Sequence, residues 1–209
     1  MKKSYFITLE GIEGCGKSTQ MQYIKTWFEA KGFTVHSFRE PGTTEIGEKL
    51  RDLILNSKKN IHPLTQSFLF LAARTELIEQ KLKPLLELEN TVILLDRYMD
   101  STLVYQGYTQ KKNFETELYL HSLGPLNLMP DLTLYFQIDY ATSQQRQSHR
   151  GAEKDFFESK PQDFYNNLIE GYDLLAQQFP NRIKTIHAKE SIEVVNKEVI
   201  ANLLGLINA

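Results

Sequence analysis

YFITLEGIEGCGKST, residues 5–19, decides the fold. Its first half, Tyr5 to Glu10, is a short apolar and β-branched run of the kind that forms a buried strand. Its second half, Gly11 to Thr19, fits the pattern G-x-x-x-x-G-K-[ST]. An amphipathic stretch with Met21, Ile24 and Phe28 at helical spacing follows, and Gly32 reads as its stop. Strand, glycine-rich loop and helix in that order are the context in which the loop cradles phosphate. Backbone N–H groups of residues 11–19 (Gly11, Ile12, Glu13, Gly14, Cys15, Gly16, Lys17, Ser18 and Thr19) would surround a nucleotide's phosphates, aided by the positive end of the helix. Lys17 would reach the β- and γ-phosphates, and the Ser18 hydroxyl would hold Mg²⁺.

Working outward, four more runs read as strands: FTVHSF from Phe33, TVILLD from Thr91, LTLYFQ from Leu132 and IKTIHA from Ile183. Helical patterns lie at about Leu64–Leu88, Ala141–His149, Gln162–Gln178 and Ile192–Ile207. Alternation of strands and helices implies an α/β fold, a parallel sheet covered by helices on both faces. Glycine, proline and charge gather at Glu40–Gly47 and Arg146–Gln162, which read as loops beside the sheet. TVILLDRY ends in Asp96, where a carboxylate could order water around Mg²⁺.

The chain has 209 residues, 41% hydrophobic and 24% charged, which fits a single soluble domain spanning 1–209. A formal net charge of −2 gives no basic field to draw it to nucleic acid or membrane. The lone cysteine, Cys15, excludes an internal disulfide and fits a reducing compartment; its slot in the loop suits a small packing side chain. MKKSYFITLE resembles a signal peptide only for its first residues, and no segment is apolar enough to span a bilayer, so the expectation is a cytoplasmic protein.

Three classes of nucleotide-binding protein compete. A guanine-selective switch would carry N/T-K-x-D late in the chain; the nearest stretch, NKEV at Asn196, lacks the aspartate. A motor ATPase would need more chain. A small-molecule kinase needs a second anion site and cations that close over the phosphoryl group, and both leave traces. Arg39 in REPGTTEIG follows the second strand, where a guanidinium suits bidentate phosphate binding, although a surface arginine reads equally well. Phe70 and Arg74 in FLFLAAR are i, i+4 on one helix face. They suit a base-stacking ring with a donor fork, or a core phenylalanine with a snorkelling arginine. In DRYMDSTLVYQG, Arg97 follows the acidic strand end, and Ser101 and Tyr105 are again i, i+4. In QQRQSHRGAEK, Arg146 and Arg150 form a cationic helix end running into a loop, the composition of a lid over about 146–162, or of a solvated charged face.

At these residues the sequence resembles the thymidylate kinase family over essentially its whole length. The order is G-x-E-G-x-G-K-S-T, REPG, F-x-x-A-R, DRY-x-x-S-x-x-x-Y-Q-G, PDLTLYF, then an arginine-bearing lid. The resemblance implies a P-loop, nucleoside-monophosphate-kinase type of fold with a five-stranded parallel sheet, phosphorylation of dTMP by ATP with Mg²⁺, and a homodimer. A kinase of thymidine itself and a non-enzymatic ATP-binding regulator are the alternatives. By motif, the resemblance implies that Arg97 and Arg39 hold the acceptor's 5′-phosphate. Phe70 stacks on thymine, Arg74 and Thr102 meet its edge, and Tyr105 lies against the sugar's 2′ carbon. Glu13 sits near the 3′-hydroxyl and the metal's water shell. Arg146 lies near the adenine, and Arg146 and Arg150, with Lys17 and Arg97, supply the catalytic cations. Some members place an arginine where this chain has Gly14, which shifts the expectation to the lid. Thr43 stands where a second glycine is common and Phe156 where an arginine is common, with Lys154 nearby as a substitute cation.

Overall fold

A computed structural model describes residues 4–57, 61–109, 114–148, 157 and 160–208. Its strands are β1 (Ser4–Glu10), β2 (Thr34–Arg39), β3 (Thr91–Asp96), β4 (Leu132–Gln137) and β5 (Ile183–His187). They form one five-stranded parallel sheet in the order β2-β3-β1-β4-β5. The central strands are buried on both faces, which is why they read as unbroken apolar runs. Thr8 and Thr133 are polar residues inside these runs, and their hydroxyls pair at 2.7 Å across β1 and β4. Edge strand β2 is half-exposed. The strand order reverses beside β1, and the loop after β1 opens at the carboxyl edge, where ligands bind in open α/β sheets.

The helices are α1 (Lys17–Glu29), α2 (Glu45–Asn56), α3 (Pro63–Leu77), α4 (Lys83–Leu86), α5 (Met99–Thr102), α6 (Phe114–Ser122), α7 (Tyr140–Ser148), α8 (Gln162–Gln178) and α9 (Ile192–Ile207). The stretch expected as one helix from Leu64 to Leu88 runs as α3 and α4 joined by a π-helical segment, Ile78–Leu82. The region expected as loop from Glu40 to Gly47 ends earlier. Thr44 caps α2 by accepting from Gly47 N at 3.0 Å, and Glu45 and Glu48 in the first turn favour the helix dipole. On the other side, α7 continues to Ser148, so Arg146 belongs to a helix. The rest of the expected lid lies largely outside the described residues, as do Arg150, Lys154 and Phe156.

A second π-helical segment, Leu103–Tyr108, continues α5 and carries Tyr105 and Gln106. π-Turns of this kind recur at functional sites because they turn side chains out of the α-helical register. At Gly171, a Cβ would lie 2.9 Å from Tyr108 and 3.0 Å from Val104. The missing side chain is what lets α8 close on this segment and bring Tyr172 inward.

Among the described residues no helix is long and apolar enough to cross a membrane.

Candidate active site

Two clefts open side by side at the carboxyl edge of the sheet. The larger, about 490 Å³, is lined by residues 13–19, Asp96 and Arg146, with Ala188, Ile192 and Val195 forming an apolar wall. Gly16 sits in the left-handed region at φ 99° and starts α1, so the helix N-terminus faces the cleft. Lys17 crosses back over the loop and donates to Gly11 O at 3.0 Å and Ile12 O at 3.4 Å. The carbonyls of Gly11 and Ile12, expected as nucleotide contacts, accept from Lys17, and neither residue lines this cleft. Cys15 is buried, 3.6 Å from Lys17 Nζ, as a packing residue would be.

Gly14 has φ 77°, and a Cβ there would stand 2.9 Å from Ser143 O and 3.5 Å from Arg146 Cβ. The glycine therefore allows α7 to rest on the loop, and Ser143 Oγ locks the contact by donating to Glu13 O at 2.7 Å. That seating is what places Arg146 over the cleft.

Asp96 Oδ1 is buried and has no hydrogen-bond partner among the described residues. Together with the Ser18 hydroxyl lining the same cleft, it offers oxygen donors suited to a hard divalent cation that keeps most of its water. The residues present thus fit Mg²⁺.

The second cleft is lined by Phe70, Arg74, Thr102, Tyr105, Gln106 and Phe157, among others. Phe70 and Arg74 share this cleft as their spacing predicts. Arg74 is only 1% exposed. It donates to Glu40 Oε2 from Nε at 2.8 Å and from Nη2 at 2.6 Å, to Thr102 Oγ1 at 3.0 Å, and to His121 Nε2 at 2.6 Å. His121 Nδ1 donates to Glu117 O at 2.7 Å, which leaves Nε2 as the acceptor. Burial and the Arg74 charge push His121 down to about 4. A base whose folded pKa lies below the ordinary 6.5 contributes stability above pH 6.5 that is lost as pH falls toward 4. His121→Gln, which keeps an acceptor for Arg74 but does not titrate, is accordingly expected to lose less melting temperature than the wild type as pH falls from 6.5 toward 4. An unchanged slope in the variant would refute the assignment.

Arg97 stands where the clefts meet. Its backbone is left-handed, φ 67°, unusual for a bulky residue and typical of a functional turn. The turn aims the guanidinium back over the sheet edge. Nη2 donates to Glu13 Oε1 at 2.5 Å, and Nη1 reaches Ser101 Oγ at 3.2 Å and Tyr172 Oη at 3.4 Å. Tyr105 Oη also donates to Glu13, at 3.2 Å, and its ring lies 5.2 Å from the Arg97 guanidinium. Glu13, Arg51 and Arg97 line both clefts.

Arg39, expected beside Arg97, lines neither cleft. Its side chain is 55% exposed and bidentate to Glu48, at 2.9 and 3.1 Å. The cause is local. Thr43 is held at φ 73°, its hydroxyl donates to Arg39 O at 3.0 Å, and Glu48 accepts from Thr43 N at 2.7 Å. Thr43 and Glu48 together fold the loop so that Arg39 points outward. Arg51 of α2 occupies the shared boundary instead, donating to Pro41 O at 2.9 Å. Sequence reasoning missed Arg51 because it missed α2; the Thr44 cap and the apolar spacing of Leu50 and Ile54 were the available signals. Gln106 was also missed. Its Nε2 is buried in the second cleft without an acceptor among the described residues, a donor suited to a ligand. Phe157, from the expected lid, packs edge-on against Tyr105 at 5.5 Å.

A family model described as thymidylate kinase matches residues 9–199. The chain is 35% identical over 198 residues to the thymidylate kinase of Thermoanaerobacter sp. (strain X514), covering 95% of this chain and 96% of the relative. It is 36% identical over 196 residues to that of Alkalilimnicola ehrlichii, covering 93% and 90%. Among solved structures, the thymidylate kinase of Ehrlichia chaffeensis superposes with a TM-score of 0.74 at 28% identity, over 96% of this chain and 99% of that one.

Proposed function

Since the chain belongs to the thymidylate kinase family and phosphorylates dTMP to dTDP with ATP, we propose that the larger cleft is its ATP site and the smaller its dTMP site. One observation carries the assignment: the two clefts share Arg97, Arg51 and Glu13 as a common boundary. Two guanidiniums at that boundary suit an acceptor that already bears a phosphate.

In this reading Lys17 and the loop N–H groups bind the β- and γ-phosphates of ATP. The adenine lies between Arg146 and the wall of Ala188, Ile192 and Val195. Ser18 and Asp96 would hold Mg²⁺, which when bound would offset the negative charge of the phosphates. Phe70 stacks on thymine, while Arg74, Thr102 and Gln106 present donors and acceptors to its edge. Arg97 and Arg51 fix the 5′-phosphate so that one of its oxygens attacks in line. Glu13 orients Arg97 and Tyr105 and lies near the 3′-hydroxyl. No general base is needed, because the acceptor phosphate is an anion near neutral pH. Arg146, with Arg150 of the lid, supplies charge to the transferring group, and the lid excludes water.

The whole chain acts as one domain, and a cytoplasmic location is supported by the single buried cysteine. A homodimer is supported by Ile46, Leu53, Leu64 and Phe68, large apolar side chains exposed on the adjacent helices α2 and α3.

The decisive assay is coupled ADP release with dTMP, dUMP and thymidine. Turnover is expected with dTMP and little with thymidine; faster turnover of thymidine would overturn the assignment of Arg97 and Arg51. Tyr105→Ala is expected to narrow the preference for dTMP over ribothymidine monophosphate by about tenfold, the scale of one well-packed discriminating contact. An unchanged ratio would remove Tyr105 from the sugar contact.

A further inference from the structure

Glu10 is the last residue of β1, fully buried, and outside both clefts. Its carboxylate gathers three donors. Tyr98 N donates to Oε1 at 2.7 Å, and Ser101 Oγ and Tyr172 Oη donate to Oε2 at 2.7 and 2.9 Å. The two hydroxyls are 3.0 Å apart, and both are the oxygens that Arg97 Nη1 approaches. A hydroxyl that spends its proton on a carboxylate turns its lone pairs elsewhere. Here they turn toward Arg97. The same carboxylate pins the Tyr98 amide, so it also fixes the strained turn that contains Arg97.

We infer that Glu10 is a positioning residue for the acceptor-phosphate clamp, acting on Arg97 through Ser101 and Tyr172. The guanidinium is thereby held at two edges, Nη1 by the hydroxyl pair and Nη2 by Glu13, before any phosphate arrives. Glu10 touches no reacting atom. The inference rests on Arg97 binding the acceptor's 5′-phosphate.

Because thymidine lacks that phosphate, the ratio of thymidine to dTMP dissociation constants isolates the clamp. Calorimetric titration of both ligands into the wild type, Tyr172→Phe, Glu10→Gln, Arg97→Ala and Tyr172→Phe/Arg97→Ala provides the test. Tyr172→Phe keeps the ring stacked on Tyr135, centroids 5.0 Å apart, and removes only the hydroxyl. It is expected to weaken dTMP about tenfold, the scale of one hydrogen bond to a charged group, and to leave thymidine within about twofold. Glu10→Gln is expected to match or exceed this, and Tyr172→Phe to add nothing once Arg97 is gone. If Glu10→Gln does not fold, Ser101→Ala/Tyr172→Phe removes the relay with Glu10 in place and is read in the same way. Equal losses for both ligands, or additive effects with Arg97→Ala, would overturn the inference. An Arg97→Ala variant that keeps the full dTMP advantage would instead overturn the clamp assignment beneath it.

Discussion

Replacing Arg97 by alanine is expected to lower kcat/KM for dTMP by about 10²–10³-fold, roughly 3–4 kcal/mol of transition-state stabilisation. The magnitude follows from position. The guanidinium lines both clefts, its side chain is 19% exposed, and its orientation is settled beforehand by Glu13, Ser101 and Tyr172. A preorganised cation in a poorly hydrated site acts without the reorganisation that water would need. Its loss also leaves Glu13 as an unbalanced carboxylate facing an incoming phosphate. Steady-state kinetics with dTMP varied at saturating ATP measures the effect. A change below about fivefold would assign the phosphate to Arg51 alone.

The second large effect concerns stability. Arg182 donates to Asp100 through both Nη atoms, at 2.6 and 2.8 Å, and to Thr133 Oγ1 at 2.8 Å. The Asp100 side chain is 1% exposed. Arg182→Met would strand that carboxylate beside Glu10, and breaking one side of a buried pair costs about 3–5 kcal/mol. For a chain of this size that corresponds to a melting temperature lower by about 10 °C. Removing both charges, with Asp100→Asn and Arg182→Met together, is expected to cost less than Arg182→Met alone. Differential scanning calorimetry decides between these outcomes, and a single-variant drop under about 2 °C would show that water already screens the pair.

The sheet and the phosphate loop were legible because they obey local rules. β1, β3 and β4 are apolar runs, and the loop pattern has fixed spacing between strand and helix. Phe70 with Arg74 was legible because helical spacing puts the pair on one face, whereas Arg97 and Tyr105 were legible only through the order of the motif DRYMDSTLVYQG. Arg39 was not, since its direction depends on a threonine with positive φ and on Glu48 reaching back from α2. Arg51 and Gln106 were hidden for a related reason. One sits on a helix whose lead-in, Pro-Gly-Thr-Thr, reads as loop; the other is turned inward by a π-helical segment that periodicity does not announce. Glu10 and Tyr172 lie 162 residues apart, and only the closed fold makes them partners.

The contact between Gly14 and Ser143 has an evolutionary consequence. An arginine in the loop and a helix resting on that loop compete for the same volume. With a Cβ only 2.9 Å from Ser143 O, a lone codon change at 14 would arrive in a backbone that rejects it. The donor cleft would have to lose the seat of Arg146 before gaining a cation in the cradle. The two ways of supplying positive charge are therefore separated by epistasis: a lineage built like this chain must first relocate α7 to cross from one to the other.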